Sequence, residues 1–227
     1  LALPAGAAGH VVRVLRLGPG DGLRLFNGRG GEFDATIDAV RRDAVSVRIG
    51  SHHDVERESP LNLVLLQGIA RGEKMDLILQ KATELGASGF VPVMMARSTV
   101  RLDERTARAR QQHWQAVVAS ACEQCGRNTV PAVAAPTPFA QCLAPSQGLR
   151  LLLAPGEGSQ PLPGLLAQPA ARIELLVGPE GGFDPAETAA ALAAGFQAAR
   201  VGPRVLRTET AGLAALAALQ TLAGDLR

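Results

Sequence analysis

The chain has 227 residues, 47% hydrophobic and 19% charged, with a formal net charge of +2 at pH 7. These values fit one or two globular domains with a sizeable core, and they exclude a polycation. Three cysteines are too few for a secreted disulfide scaffold, and no apolar run reaches the roughly eighteen residues of a membrane span, so the chain reads as cytoplasmic.

In chain order, residues 1–58 form a small β-rich module. "HVVRVLRL" sets Val11, Val14 and Leu15 at helical spacing and predicts a short helix. "GLRLF", "EFDATIDAV" and "AVSVRI" alternate apolar and polar residues, with the turn residues "NGRGG" after the first, and predict three strands. "SHHDVERESP" reads as a polar linker in which His52 and His53 are solvated.

Residues 59–227 alternate strands and helices, which indicates an α/β layer on a mostly parallel sheet. "LNLVLLQGI" is apolar enough to be a strand buried on both faces. "EKMDLILQKATELG" places Met75, Ile78, Leu79, Ala82 and Leu85 on one helix face and closes with Gly86 as a cap. "FVPV", "LRLLLAP" and "IELLVG" are further strands, and helices are expected near 103–126, 185–195 and 209–225.

The excess positive charge lies in residues 59–130, where "ARSTVRLDERTARAR" holds five arginines. That segment can meet phosphates, or it can be a solvated helix face paired with Asp103 and Glu104. Cys122 and Cys125 form a lone CxxC; with two cysteines and no good histidine, it is read as part of a helix near its end, without metal.

Two glycine-lined loops stand between a strand and a helix, "GPEGGFDPAET" and "VGPRVLRTETAGL". In the first, Asp184, Pro185 and Glu187 fit the N-cap, first and third positions of a helix. "GPEGG" is left over, and it matches neither a Walker A loop nor G-x-G-x-x-G. In the second, Thr208 or Thr210 can cap the helix, while Arg204 and Arg207 at its start oppose the helix dipole. Glu209, or a bound anion, would account for them.

"GPEGGF" and "GPRVLRTETA", with "RGEKMDLILQKATELG" and "CEQCGRN" ahead of them in the same order, closely resemble the RsmE family of SPOUT (α/β-knot) RNA methyltransferases. The resemblance spans nearly the whole chain. It implies a trefoil-knotted α/β domain over 59–227, preceded by a PUA-like β-barrel over 1–58 that binds RNA. It also implies a homodimer that uses S-adenosylmethionine to methylate N3 of a uridine in 16S ribosomal RNA, position 1498 of the family's target, on the 30S subunit. Relatives usually carry a few more, often basic, residues ahead of what is Leu1 here.

Carried onto this sequence, the family's cofactor loops are Leu153, Ala154 and Pro155; Leu176, Val177, Gly178, Pro179, Glu180, Gly181 and Gly182; and Val201, Gly202, Arg204, Val205, Leu206, Arg207 and Thr208. Methylating uracil N3 requires removal of a weakly acidic proton and stabilisation of charge on O2 and O4. Glu180 or Glu209 suits the first task and Arg207 or Arg127 the second, although Glu209 can equally be an ion-pair partner of a nearby arginine and Glu180 a carboxylate orienting backbone amides. A phenolate base is excluded, since the chain has no tyrosine. Arg13, Arg16 and Arg24 in the first module, and Arg71, Lys74, Lys81, Arg97, Arg101, Arg127 and Asn128 in the second, are the expected RNA contacts. The alternatives are a SPOUT enzyme acting on another base or a ribose 2′-hydroxyl, which the nucleoside product separates, and a non-catalytic RNA-binding assembly factor, which would not bind S-adenosylmethionine.

Overall fold

The computed structural model describes residues 1–42, 44–100, 102–166 and 172–226. They divide into two units: Leu1–Arg57 with Gly126–Val130, and Glu58–Cys125 with Pro131–Arg227.

In the first unit a short helix, α1 (Ala5–Gly9), precedes the segment expected to be helical, which forms a π-helical turn, His10–Val14, with Val14 and Leu15 exposed. The period-two segments form β1 (Gly22–Leu25), β2 (Glu32–Arg41) and β3 (Ala44–His53), an antiparallel sheet in that order. Their inward residues Ala35, Ile37, Val45 and Val47 pack with Ala8 and Val11. Two points differ from the sequence reading. His52 and His53 are not in a linker but end β3, opposite Phe33 and Glu32, where His53 Nε2 lies 2.7 Å from Asp34 Oδ2. Polar side chains hid this strand end. Arg127 and Asn128 do not belong to the second unit; they lie in the segment Gly126–Val130 that returns to this one. Its backbone bonds to Gly28 and Gly30 (Val130 N to Gly28 O, 3.1 Å; Gly30 N to Asn128 O, 3.2 Å), and Asn128 Nδ2 donates to Val55 O at 2.6 Å.

The second unit is built on a sheet whose paired strands all run parallel. In chain order they are β4 (Asn62–Gly68), β5 (Gly89–Met94), β6 (Ala132–Val133), β7 (Thr137–Pro138), β8 (Leu149–Leu153), β9 (Gln160–Pro161), β10 (Arg172–Val177) and β11 (Gln197–Arg200). Across the sheet the order is β6-β5-β4-β10-β8-β11-β9, with β7 also on β5. The apolar runs of β4, β8 and β10 are its buried centre, with Leu63, Leu65, Leu151, Ile173 and Leu175 fully enclosed. Helices α2 (Glu73–Glu84), α3 (Glu104–Cys125), α4 (Phe139–Cys142), α5 (Pro185–Ala193) and α6 (Thr208–Ala223) complete it, and α2 packs on α3 and α6. The apolar stripe of α2 is buried as its spacing requires (Met75, Ile78, Leu79, Ala82), and Gly86 closes the helix at φ 80°.

One charged cluster lies inside this sheet. Arg150 of β8 and Glu174 of β10 stand side by side in register, joined at 3.1 Å with side-chain exposures of 6% and 9%. Arg150 also donates to Ala194 O and Cys142 O and covers the Phe196 ring; Glu174 also accepts from Arg172 and Ser146. Each side-chain nitrogen of Arg150 and each carboxylate oxygen of Glu174 has a hydrogen-bond partner, the condition under which a buried pair is tolerated.

Candidate active site

Strands β8, β10 and β11 run the same way and release their chains at one end of the sheet. In open parallel sheets, ligands sit in the crevice beyond those carboxyl ends. The loops after the three strands meet there around a cleft of about 480 Å³. Its walls are apolar side chains and loop backbone, including Leu153, Ala154, Phe183, Ala199 and Leu206, with Glu157, Glu180, Arg200, Arg204 and Arg207 as charged members.

The composition of "GPEGG" follows from its surroundings. Gly182 has φ 69°, which glycine adopts without strain, and its N–H closes a turn onto Pro179 O at 2.9 Å. Gly181 abuts the chain after β5: a Cβ there would lie 2.9 Å from both Arg97 Cβ and Arg97 O. The loop ends in the capping box expected from "DPAE": Ala186 N donates to Asp184 Oδ1 and Asp184 N to Glu187 Oε2, both at 3.0 Å. Glu187 Oε1 also accepts Ala96 N at 2.7 Å, so the cap pins this loop to the one after β5.

The second loop differs from the sequence reading at its helix start. Neither Thr208 nor Thr210 is the N-cap; Arg207 holds that position without a side-chain cap. Thr208 instead donates its hydroxyl to Gly178 O at 2.6 Å and accepts from buried Gln67 Nε2 at 2.9 Å. The two glycine-lined loops are thereby joined.

Beside the cleft, one lysine links the two glutamates. Lys74 Nζ lies 3.4 Å from Glu209 Oε1 and 3.7 Å from Glu180 Oε1. Glu180 Oε1 also accepts the Arg71 backbone N–H at 3.0 Å. Glu209 is held below the usual carboxylate range: its own backbone N–H favours the anion, and Lys74 and Arg207 add to this against the opposing effect of burial. No cysteine lines the cleft; burial, with Glu174 adding to it, pushes the Cys142 thiol up to about 11.

Of the residues assigned to the cofactor loops, Leu153, Ala154, Pro155, Val177, Gly178, Pro179, Glu180, Gly182, Val201, Arg204, Val205, Leu206, Arg207 and Thr208 line the cleft. Leu176 is buried in β10, Gly181 packs on Arg97, and Gly202 is exposed at φ 73°; none of these three lines it. Sequence reasoning misses nine lining residues, among them Glu157, Phe183, Thr188 and Arg200. Arg200 was recoverable as the last residue of a parallel strand, but "QAAR" is too short to give a periodic signal.

The other candidates are scattered. Arg13, Arg16, Arg24, Arg71 and Arg97 are exposed. Arg24 lies 3.3 Å from Asp34, and Arg97 lies 3.6 Å from Asp184. Lys81 is taken by Glu84 at 2.8 Å. Arg127 and Asn128 are buried at 6% and 0% exposure, and neither lines the cleft. Arg101 lies outside the described residues.

Comparison with known proteins matches residues 57–220 to an RNA methyltransferase domain and residues 3–50 to an RNA methyltransferase PUA domain. The ribosomal RNA small subunit methyltransferase E of Bacillus subtilis is 33% identical, over 95% of this chain and 89% of that protein. The Neisseria gonorrhoeae enzyme of the same name, solved with S-adenosylmethionine, superposes with a TM-score of 0.94 at 40% identity, over 100% of this chain and 93% of that one. A Legionella pneumophila methyltransferase, also solved with this cofactor, gives 0.95 at 40% identity with the same coverage. The chain belongs to the ribosomal RNA small subunit methyltransferase E (RsmE) family of RNA methyltransferases.

Proposed function

We propose that the chain methylates N3 of a uridine in 16S rRNA, the one at position 1498 of the family's target, on the assembled 30S subunit, using S-adenosylmethionine. It is a 16S rRNA methyltransferase that draws its methyl group from that cofactor. The observation that carries it is the convergence of three strand-end loops on one cleft lined by Glu180 and Arg207, with Glu209 beside it on Lys74.

The cleft fits the cofactor. About 480 Å³ falls within the roughly 300–1,000 Å³ of small-molecule sites. Apolar walls suit an adenine ring, loop backbone offers amide donors and acceptors, and Glu157 and Glu180 suit a positively charged donor. When bound, S-adenosylmethionine supplies an electrophilic methyl group on a sulfonium centre. This chain's residues then have to seat the uracil, let its N3 proton leave and stabilise charge on O2 and O4. Arg207, exposed at the cleft and permanently cationic, suits the last task. Glu209, kept anionic and paired with Lys74, fixes Lys74 and the start of α6, and Glu180, the carboxylate in the cleft lining, is the one placed to take the N3 proton.

The family resemblance supports a second copy of this chain as partner. The knot rests on the family resemblance, and the placement of β10 between β4 and β8 is compatible with it. No described helix is long and apolar enough to cross a membrane; a ribosomal substrate supports a cytoplasmic location.

N3 is on the Watson–Crick edge, so its methyl group blocks base pairing and stops reverse transcription. Primer extension on 16S rRNA from cells lacking the gene should read through the target. Returning the gene should restore a stop at that single uridine. Read-through despite expression would contradict the reading.

A further inference from the structure

Gln67 is a buried amide near the end of β4, where the other interior side chains are leucine and valine. It stands in register with Val177, one residue before the first glycine-lined loop. Its Nε2 donates to Thr208 Oγ1 (2.9 Å), to Gly68 O (3.0 Å) and, at 3.5 Å, to Gly178 O. The Thr208 hydroxyl passes the chain on to Gly178 O at 2.6 Å. Gly178 and Thr208 both line the cleft, whereas Gln67 lies behind it. Gln67 Oε1 is buried with no partner among the described residues. A leucine would fill this strand position without an unpaired acceptor, so packing alone does not account for the amide.

We infer that Gln67 is a positioning residue for methyl-donor binding, acting through Thr208. The inference rests on reading the cleft as the S-adenosylmethionine site. The amide and the hydroxyl occupy the Gly178 carbonyl and anchor the first residue of α6. Arg207 and Glu209 flank that residue, so the same anchor sets where both side chains start. Losing either partner releases both loops at once, and the damage falls on the donor site rather than on RNA docking.

The test is calorimetry with S-adenosylmethionine and steady-state methylation of 16S rRNA, on the full chain. The variants are Gln67→Leu, Thr208→Val, Thr208→Ser and the Gln67→Leu/Thr208→Val double. Gln67→Leu and Thr208→Val should each weaken cofactor binding by about tenfold, with no matching change in KM for rRNA, and the double should lose no more than the worse single. Thr208→Ser should restore most of what Thr208→Val loses. Unchanged affinity in Thr208→Val, a serine as poor as valine, or additive losses would overturn the inference. Should Gln67→Leu fail to fold, Gln67→Met, of nearly the same length and without the amide, replaces it in the same comparison, and unchanged cofactor affinity in that variant would overturn the inference. Absence of binding by the unaltered protein would instead remove the reading of the cleft, and this inference with it.

Discussion

Replacing Gly68 by alanine places one methyl group where β4 meets the cofactor loop. A Cβ on Gly68 would lie 2.6 Å from Pro179 N, 2.7 Å from Pro179 Cδ and 2.9 Å from Met95 Sδ. Methionine can turn aside, but the Pro179 atoms are backbone and ring. Restoring an ordinary contact requires the loop to retreat by about 0.8 Å. Overpacking of this kind costs about 1–3 kcal/mol. At about 2–4 °C per kcal/mol for a chain of this size, a mid-range cost of about 2 kcal/mol lowers Tm by about 4–8 °C. The same retreat opens the cleft where Pro179 lines it, so S-adenosylmethionine affinity should fall with the Tm. Gly212→Ala is the control: its Cβ meets Val177, Gln67 and Leu65 at 3.5–3.6 Å. That substitution, inside α6, should be neutral or stabilising by up to about 1 kcal/mol. Thermal melts and calorimetry on both variants decide the matter. Gly68→Ala with unchanged Tm and affinity, or Gly212→Ala as damaging as Gly68→Ala, would refute the packing argument.

Lys74→Met removes the cation between Glu180 and Glu209 and should reduce the methylation rate several-fold while far-ultraviolet circular dichroism is unchanged; a wild-type rate would deny Lys74 its role. Glu209 has its pKa lowered in the folded chain, so its stabilising contribution is present above the ordinary value near 4.5 and is lost as the pH falls through the depressed one. Lys74→Met should therefore move that loss to higher pH, as read by acid unfolding monitored at Trp114, and an unmoved midpoint would count against the pairing. Glu174→Ala strands Arg150 in the sheet and should cost about 3–5 kcal/mol in urea unfolding, while a loss under about 1 kcal/mol would mean the cluster rearranges.

Much of the architecture was legible because burial imposed a period. The alternation in β2 and β3, the continuous apolar run of β4, and the i, i+3, i+4 stripe of α2 each record a face turned to a core. The Asp184 capping box was legible for a similar reason, since its reciprocal bonds lie within three residues. What escaped has no local signature. Strands β6, β7 and β9 have two residues each, and β11 has four. The passage of 126–130 into the first unit depends on bonds to residues about a hundred positions earlier. The glycines of "GPEGG" pointed to a ligand loop, and Gly178 and Gly182 line the cleft, but Gly181 serves the approach of Arg97. Lys74 was expected to meet phosphate, yet its position between two glutamates appears only once β4, β10 and α6 are side by side. Gln67 drew no notice, because one polar residue in an apolar strand says nothing of its partners 111 and 141 residues away.

The most direct test of the central claim is methyl transfer from labelled S-adenosylmethionine to 30S subunits that lack the modification, with protein-free 16S rRNA assayed beside them and the nucleosides identified by mass spectrometry. The account predicts N3-methyluridine at one position, formed on the subunit and not on the stripped RNA. A methyl group on another base or on a ribose hydroxyl, or equal transfer to free RNA, would contradict it.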